Sequence, residues 1–272
     1  MKRVPFEEYI KSEGVNWSTL KYMRDSPLHY RHFSATAGTD TTGRKKGRAL
    51  HTLVFEPQKF ADEYAVFDGP VRKGKAWDAF EAENAAKTIL KANELEEVQA
   101  QANAVRSHPA VIPYLTGGIF EASWRWRDAK TGLICKGRTD LWHPTTNTLI
   151  DLKGTTTIHP HYFGRIAARQ GYHSQLAHYS NGIKVSRRLK SIRTCILAVE
   201  VKAPFDLTLF ELSSDDLYAG EEEVGQLLAK VAACTESGTW PGRSPEPQPL
   251  RLPPYIWGDD EDPAELGVTF DS

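Results

Sequence analysis

Three cysteines, Cys135, Cys195 and Cys234, are all that this chain of 272 residues holds, and they stand 60 and 39 residues apart. That spacing matches neither a zinc site nor a disulfide framework, and it makes a reducing cytoplasm the simplest home. Long apolar runs are also missing. No stretch approaches the roughly 18 residues of a membrane-spanning helix, and Met1-Lys2-Arg3-Val4-Pro5 starts no secretory signal. A soluble protein with no membrane partner is expected. There is no internal repeat and no long low-complexity tract.

A strong excess of charge is absent too, since the net is −1. The balance is uneven along the chain. Residues 241–272 carry Glu246, Asp259, Asp260, Glu261, Asp262, Glu265 and Asp271 against Arg243 and Arg251, a net of −5, so residues 1–240 carry +4. Basic residues cluster in Arg44-Lys45-Lys46-Gly47-Arg48, around Arg165 and Arg169, and in Arg187-Arg188-Leu189-Lys190. A local basic track can bind a phosphate backbone whatever the total charge. A solvated helix face has the same appearance.

What is present suits one large core, with 40% hydrophobic residues. The expected organisation is a single domain over residues 1–240 with a helical N-terminal portion, then a Pro-rich acidic tail over 241–272 holding seven of the 16 prolines. Residues 75–107 read as two helices interrupted near Asn93. Residues 161–170 and 171–185 read as two more, then 193–201 and 206–212 as strands, and 214–234 as a final helix. The pattern predicts an α/β fold, a central mixed β-sheet flanked by helices.

Gly137-Arg138-Thr139-Asp140 and, after ten intervening residues, Asp151-Leu152-Lys153 carry the chemistry. The intervening residues form two short β-favouring runs around a polar turn, a hairpin pattern. A turn centred between Thr145 and Thr146 sets Asp140 directly opposite Asp151. Like charges so placed repel unless something neutralises them, and a divalent cation is the natural neutraliser. Strand alternation puts Asp151 and Lys153 on one face and Leu152 on the other. The competing reading is a surface hairpin whose acids pair with Lys136, Arg138 or Lys153.

Three segments add to this. Residues 43–57 show a helical apolar stripe closed by Pro57, with Arg44, Arg48 and His51 on one face. His51 can be a metal ligand flanked by phosphate-binding arginines, or a packed histidine. Residues 119–127 alternate, with Phe120, Ala122, Trp124 and Trp126 on one face and Glu121, Ser123, Arg125 and Arg127 on the other, pairing with the hairpin's first strand through a turn at 128–132. Glu121 is a further acid near the metal or the polar side of a sheet. Gln175 and Tyr179 share a helix face; both can hydrogen-bond a phosphate oxygen, and both also suit an ordinary amphipathic helix.

Together these residues resemble the RecB-like branch of the PD-(D/E)xK nuclease superfamily, most closely its exonuclease VIII (RecE-type) nuclease domains, from about Val15 to Val201. The family pattern of a helical His, an Asp, an Asp/Glu-x-Lys and a Gln-x-x-x-Tyr falls on His51, Asp140, Asp151, Lys153, Gln175 and Tyr179. Asp151 stands where many relatives carry Glu. The resemblance implies a restriction-endonuclease-like core, with Asp140, Asp151, His51 and the Leu152 carbonyl as ligands of Mg²⁺, for which Mn²⁺ may substitute. It implies Lys153 at the attacking water, and Gln175 and Tyr179 positioning the scissile strand. DNA contacts are expected from Arg44, Arg48, Arg138, Arg165 and Arg169. The scarcity of cysteine speaks against the superfamily's iron–sulfur members. The implied activity is an exodeoxyribonuclease acting 5′ to 3′ on ends of linear double-stranded DNA, assembled as a ring-shaped homo-oligomer, a tetramer, with a single-strand annealing recombinase as partner. A structure-specific endonuclease and a non-catalytic DNA-binding protein are the rival classes.

Overall fold

The computed structural model describes residue 4, residues 6–36 and residues 40–252. The N-terminal portion is helical: α1 (Phe6–Lys11), α2 (Trp17–Leu20), α3 (Pro27–Ala35) and α4 (Thr42–Phe55), then α5 (Phe60–Glu63). A strand, β1 (Tyr64–Phe67), is followed by α6 (Lys75–Glu83), β2 (Thr88–Lys91), α7 (Ala92–Ser107) and α8 (Ile112–Leu115). The main sheet is built from β3 (Ile119–Arg127), β4 (Ile134–His143) and β5 (Thr148–Thr155). After α9 (Pro160–Gln170) and α10 (Tyr172–Arg187) it is completed by β6 (Arg193–Glu200) and β7 (Leu207–Glu211), and α11 (Ser214–Ser237) follows.

The five strands lie in chain order, β3-β4-β5-β6-β7. Only β5 and β6 run parallel; the other neighbours are antiparallel. A parallel pair needs a crossover, and α9 and α10 provide it. Both faces are covered. Leu176 and Ile183 of α10 and Val224, Leu227 and Leu228 of α11 pack on one, with Leu149, Ile196 and Ala198 from the strands. Ala49, Leu50 and Val54 of α4 and Val98 and Ala102 of α7 pack on the other, with Ile150, Leu152, Leu197 and Val199. Alternate residues of β5 and β6 thus enter opposite cores, so these strands read as continuous apolar runs. This is the mixed sheet flanked by helices that the sequence pattern predicts. No helix among the described residues is long and apolar enough to cross a membrane.

Two details of the sequence reading need correction. The break within residues 75–107 is not at Asn93 but spans residues 84–91, and it contains β2, which pairs in parallel with β1. Asn93 sits in the first turn of α7, whose start is fixed by Glu94 accepting from the Lys91 N–H at 2.8 Å. The alternation along β3 also fails at one residue. Glu121 has φ +51, and this turns the strand over: Phe120 packs with the α4 side, whereas Ala122, Trp124 and Trp126 pack with the α10 side. Of the tail, residues 241–252 carry no helix or strand, and residues 253–272 lie outside the described residues.

Candidate metal and catalytic site

Register creates the site. β4 and β5 pair only through Leu141–Ile150, Trp142–Leu149 and His143–Thr148, and continuing that register sets Asp140 opposite Asp151. Beyond this point the ladder stops. β5 stays paired with β6 along its whole length, and β4 with β3, so the sheet opens between β4 and β5 beside the two aspartates. Asp140 bridges the opening, its Oδ2 accepting from the Leu152 N–H at 2.7 Å. The β3–β4 register places Glu121 opposite Asp140, between the pairs Phe120–Leu141 and Ala122–Thr139. Register therefore brings Glu121, Asp140 and Asp151, from three adjacent strands, to one level of the sheet.

Helix α4 supplies the fourth group. Thr41 caps it, its Oγ1 accepting from the Arg44 N–H at 3.3 Å, and its apolar side buries Ala49, Leu50 and Val54. That anchoring leaves His51 over two of these acids, with Nδ1 3.4 Å from Asp140 Oδ1 and 3.8 Å from Glu121 Oε1. One ligand atom from each of His51, Glu121 and Asp140 lies within 4.8 Å of the others, a group able to hold a metal ion. Glu121, which by its sequence suits either a metal-site acid or a sheet surface, stands inside this cluster. Its positive φ costs about 1–2 kcal/mol and turns the carboxylate to the α4 side.

Asp151 lies on the α10 side of the same opening. Its Oδ1 accepts from Gln175 Nε2 at 3.2 Å, and the same amide donates to the Tyr179 hydroxyl at 3.3 Å. Oδ2 is 2.7 Å from Lys153 Nζ, so the ammonium is the counter-charge of this buried oxygen. The carboxylates and imidazole of the neighbouring Asp140, Glu121 and His51 suit a divalent cation, which takes oxygen ligands. The donor set fits such an ion.

The electrostatics divide the acids. Burial pushes the Asp151 carboxyl up to about 6, with Asp140 adding to the effect and Lys153 opposing it. Asp140 goes down: burial opposes its charge, but His51, Lys153 and the Leu152 amide outweigh it. Burial likewise works against a charged His51, and the flanking Asp140 and Glu121 override it and raise its pKa well above the usual imidazole value. Lys153 is raised by Asp151 and Asp140 against the pull of burial, so the protein alone holds it as an ammonium.

The expected DNA-contacting arginines are not alike. Arg138 turns inward, donating through Nε to Glu121 Oε2 at 2.7 Å and through Nη1 to the Val4 carbonyl at 2.9 Å, so it orients Glu121. Arg48 makes a two-pronged pair with Asp40 at 2.7 and 2.8 Å. Arg44 on α4, and Arg165 and Arg169 on α9, are exposed. Leu152 enters through its amide, with its side chain in the core.

Lys136 and Gly137 support the site in ways that their place in the sequence does not indicate. Buried Lys136 donates to the carbonyls of Tyr9, Ile10 and Ser12, fixing the end of α1 against β4. Gly137 leaves room for Tyr179: a Cβ there would lie 2.8 Å from Tyr179 Cδ1. Gly137→Ala is accordingly expected to displace the Tyr179 ring and to cost about 1–3 kcal/mol, the range for overpacking. Denaturant unfolding checks this, and an unchanged midpoint would show that the ring yields freely.

A mixed sheet opening beside these carboxylates, with an Asp-x-Lys strand on its lip, defines a PD-(D/E)xK nuclease fold. Residues 16–253 match the family described as a PDDEXK-like domain of unknown function (DUF3799), and the chain belongs to that family. Among solved structures it is similar to one from Eubacterium rectale described as a putative exonuclease, with a TM-score of 0.65 and 14% identity over 94% of this chain and 97% of that one. A phage related exonuclease from Haemophilus somnus 129PT is a looser likeness, at a TM-score of 0.38 and 15% identity over 85% and 99% of the two chains. The first likeness is one of fold. No curated protein matches the sequence.

Proposed function

We propose that this chain is a metal-dependent exodeoxyribonuclease that degrades linear double-stranded DNA from its ends, 5′ to 3′. The observation that carries the hydrolytic reading is the juxtaposition at the sheet's opening of Asp140, Glu121 and His51 with Asp151 and Lys153. Phosphodiester hydrolysis needs a nucleophilic water and neutralisation of charge on the phosphoryl group. Mg²⁺ or Mn²⁺, when bound, would supply Lewis acidity and an acidified water. Asp140, His51, Glu121 and Asp151, with the Leu152 carbonyl, are the groups that would hold it. Lys153, held charged by two carboxylates, is suited to stabilising developing negative charge rather than to removing a proton. Gln175 and Tyr179 offer uncharged donors to a phosphate oxygen, and exposed Arg44, Arg165 and Arg169 offer charge to the backbone. The preference for ends, the polarity, a ring-shaped homo-oligomer and a single-strand annealing recombinase as partner rest on the family resemblance.

The test is digestion of end-labelled linear duplex and of covalently closed circles, with Mg²⁺ and with excess chelator. Linear DNA should be degraded from its ends only with metal, and circles should survive. Activity undiminished by chelator would sink the metal reading, and cutting of circles would favour an endonuclease.

His51 gives a separate prediction. The proton that Asp140 and Glu121 hold on the ring must leave before the nitrogen can bind a metal. Affinity for Mn²⁺ should therefore tighten as pH rises through the elevated His51 value, and His51→Ala should bind more weakly with a flatter pH dependence. Calorimetric titration of wild type and variant reads both, and equal affinities would remove His51 from the ligand set.

A further inference from the structure

Helix α10 begins immediately beside Lys153. Gly171 ends α9 in the left-handed conformation, with φ +70, and its N–H bonds the Ala168 carbonyl at 3.1 Å. A Cβ there would meet the Arg24 guanidinium at 2.5 Å. That guanidinium is fixed in turn by Glu223 of α11, through Nε at 2.8 Å, and by the Arg169 carbonyl at 3.3 Å. Ser174 also donates to Glu223. The first turn of α10 is thus held from behind, and its first residue, half-buried Tyr172, presents its ring to Lys153: Nζ lies 4.8 Å from the ring centroid. Phe163 of α9 borders the ring at 6.4 Å between centroids.

We propose that Tyr172 is a positioning residue for the reaction, its ring face holding the Lys153 ammonium at the mouth of the sheet opening beside Asp151; the proposal rests on the nuclease reading above. A lysine side chain has four flexible carbons and three rotating donors, and ordering it is costly in rotamer entropy. The Asp151 contact, at 2.7 Å, holds the ammonium from one side only. An aromatic face adds a second constraint. It attracts the cation through the ring quadrupole and offers no acceptor that would compete for its protons. The ring, and not the hydroxyl, carries this role.

The test compares Tyr172→Phe and Tyr172→Leu with wild type on linear duplex DNA. Tyr172→Phe keeps the ring and should retain kcat within about twofold. Tyr172→Leu should lower kcat about tenfold with KM unchanged, within the strength of a partly desolvated cation–π contact. An independent arm uses lysine labelled at Cε, with the Lys153 resonance assigned through Lys153→Arg. The Lys153 Hε protons should be shifted upfield by the ring in wild type and Tyr172→Phe, and should return towards the free-lysine position in Tyr172→Leu. Wild-type kcat in the leucine variant, or equal losses in both variants, overturns the proposal. So does an unshifted Lys153 in wild type, which decides the matter even where the leucine variant does not fold. DNA left intact by the wild type removes the nuclease reading, and the Lys153 shift still reports on the contact itself.

Discussion

Asp140→Asn and Asp151→Asn should each slow hydrolysis of linear duplex DNA about a thousandfold, equivalent to about 4 kcal/mol of lost transition-state stabilisation. The amide substitution matters for Asp140. Its carboxylate accepts from the Leu152 N–H across the sheet opening, and an alanine there would leave that buried amide unsatisfied at about 1–3 kcal/mol. Asparagine keeps an acceptor oxygen and removes the charge, so circular dichroism and the melting temperature should stay close to wild type while kcat collapses. The double variant should be little slower than either single one, because groups that act as a unit lose their joint effect with the first removal. Modest, additive losses would contradict a shared centre.

Lys153→Met is the second large effect, and it acts on rate and stability together. Methionine retains much of the aliphatic length and removes the ammonium. A buried Asp151 then loses its counter-charge, and breaking a buried pair this way typically costs about 3–5 kcal/mol. The pH dependence has a definite sign. Burial already raises Asp151 from 3.8 to about 6 in wild type, and loss of Lys153 raises it further. An acid with a raised folded-state pKa carries no penalty below its unfolded value, accumulates one as pH climbs between the two values, and carries it in full above the folded one. Lys153→Met should therefore look most unstable at neutral pH and approach wild type in acid. Urea unfolding across that range tests it, and a stability loss independent of pH would show that Asp151 does not sense the lysine. Lost activity at neutral pH should exceed whatever the unfolded fraction accounts for.

Asp140 and Asp151 also show how far local pattern reaches. Their facing positions follow from the turn and the period of two along β4 and β5; the observed pairs keep that register and end at Leu141–Ile150, one step short of the two aspartates. The repulsion inferred from that facing is softened by partners: Asp140 by His51, and Asp151 by Lys153. His51 comes from a helix nearly ninety residues away in sequence, and no local pattern indicates that it lies over Asp140. Alternation alone groups Phe120 with Ala122, and it fails where Glu121 takes a positive φ. The resemblance implies Arg138 as a DNA contact; its position in space gives its guanidinium to Glu121 and Val4.

By itself, the sequence determined the hairpin, the helices that carry His51, Gln175 and Tyr179, and the α/β class, because these depend on residue period, turn chemistry and capping within a few neighbours. Only the tertiary structure decided that the sheet opens between β4 and β5, that Glu121 joins His51 and Asp140, that Gln175 reaches Asp151, and that Tyr172 faces Lys153. Those features arise where separate strands diverge and helices cross them. The energies that fix them, burial, charge pairing and close packing, depend on distances through space that no spacing along the chain records.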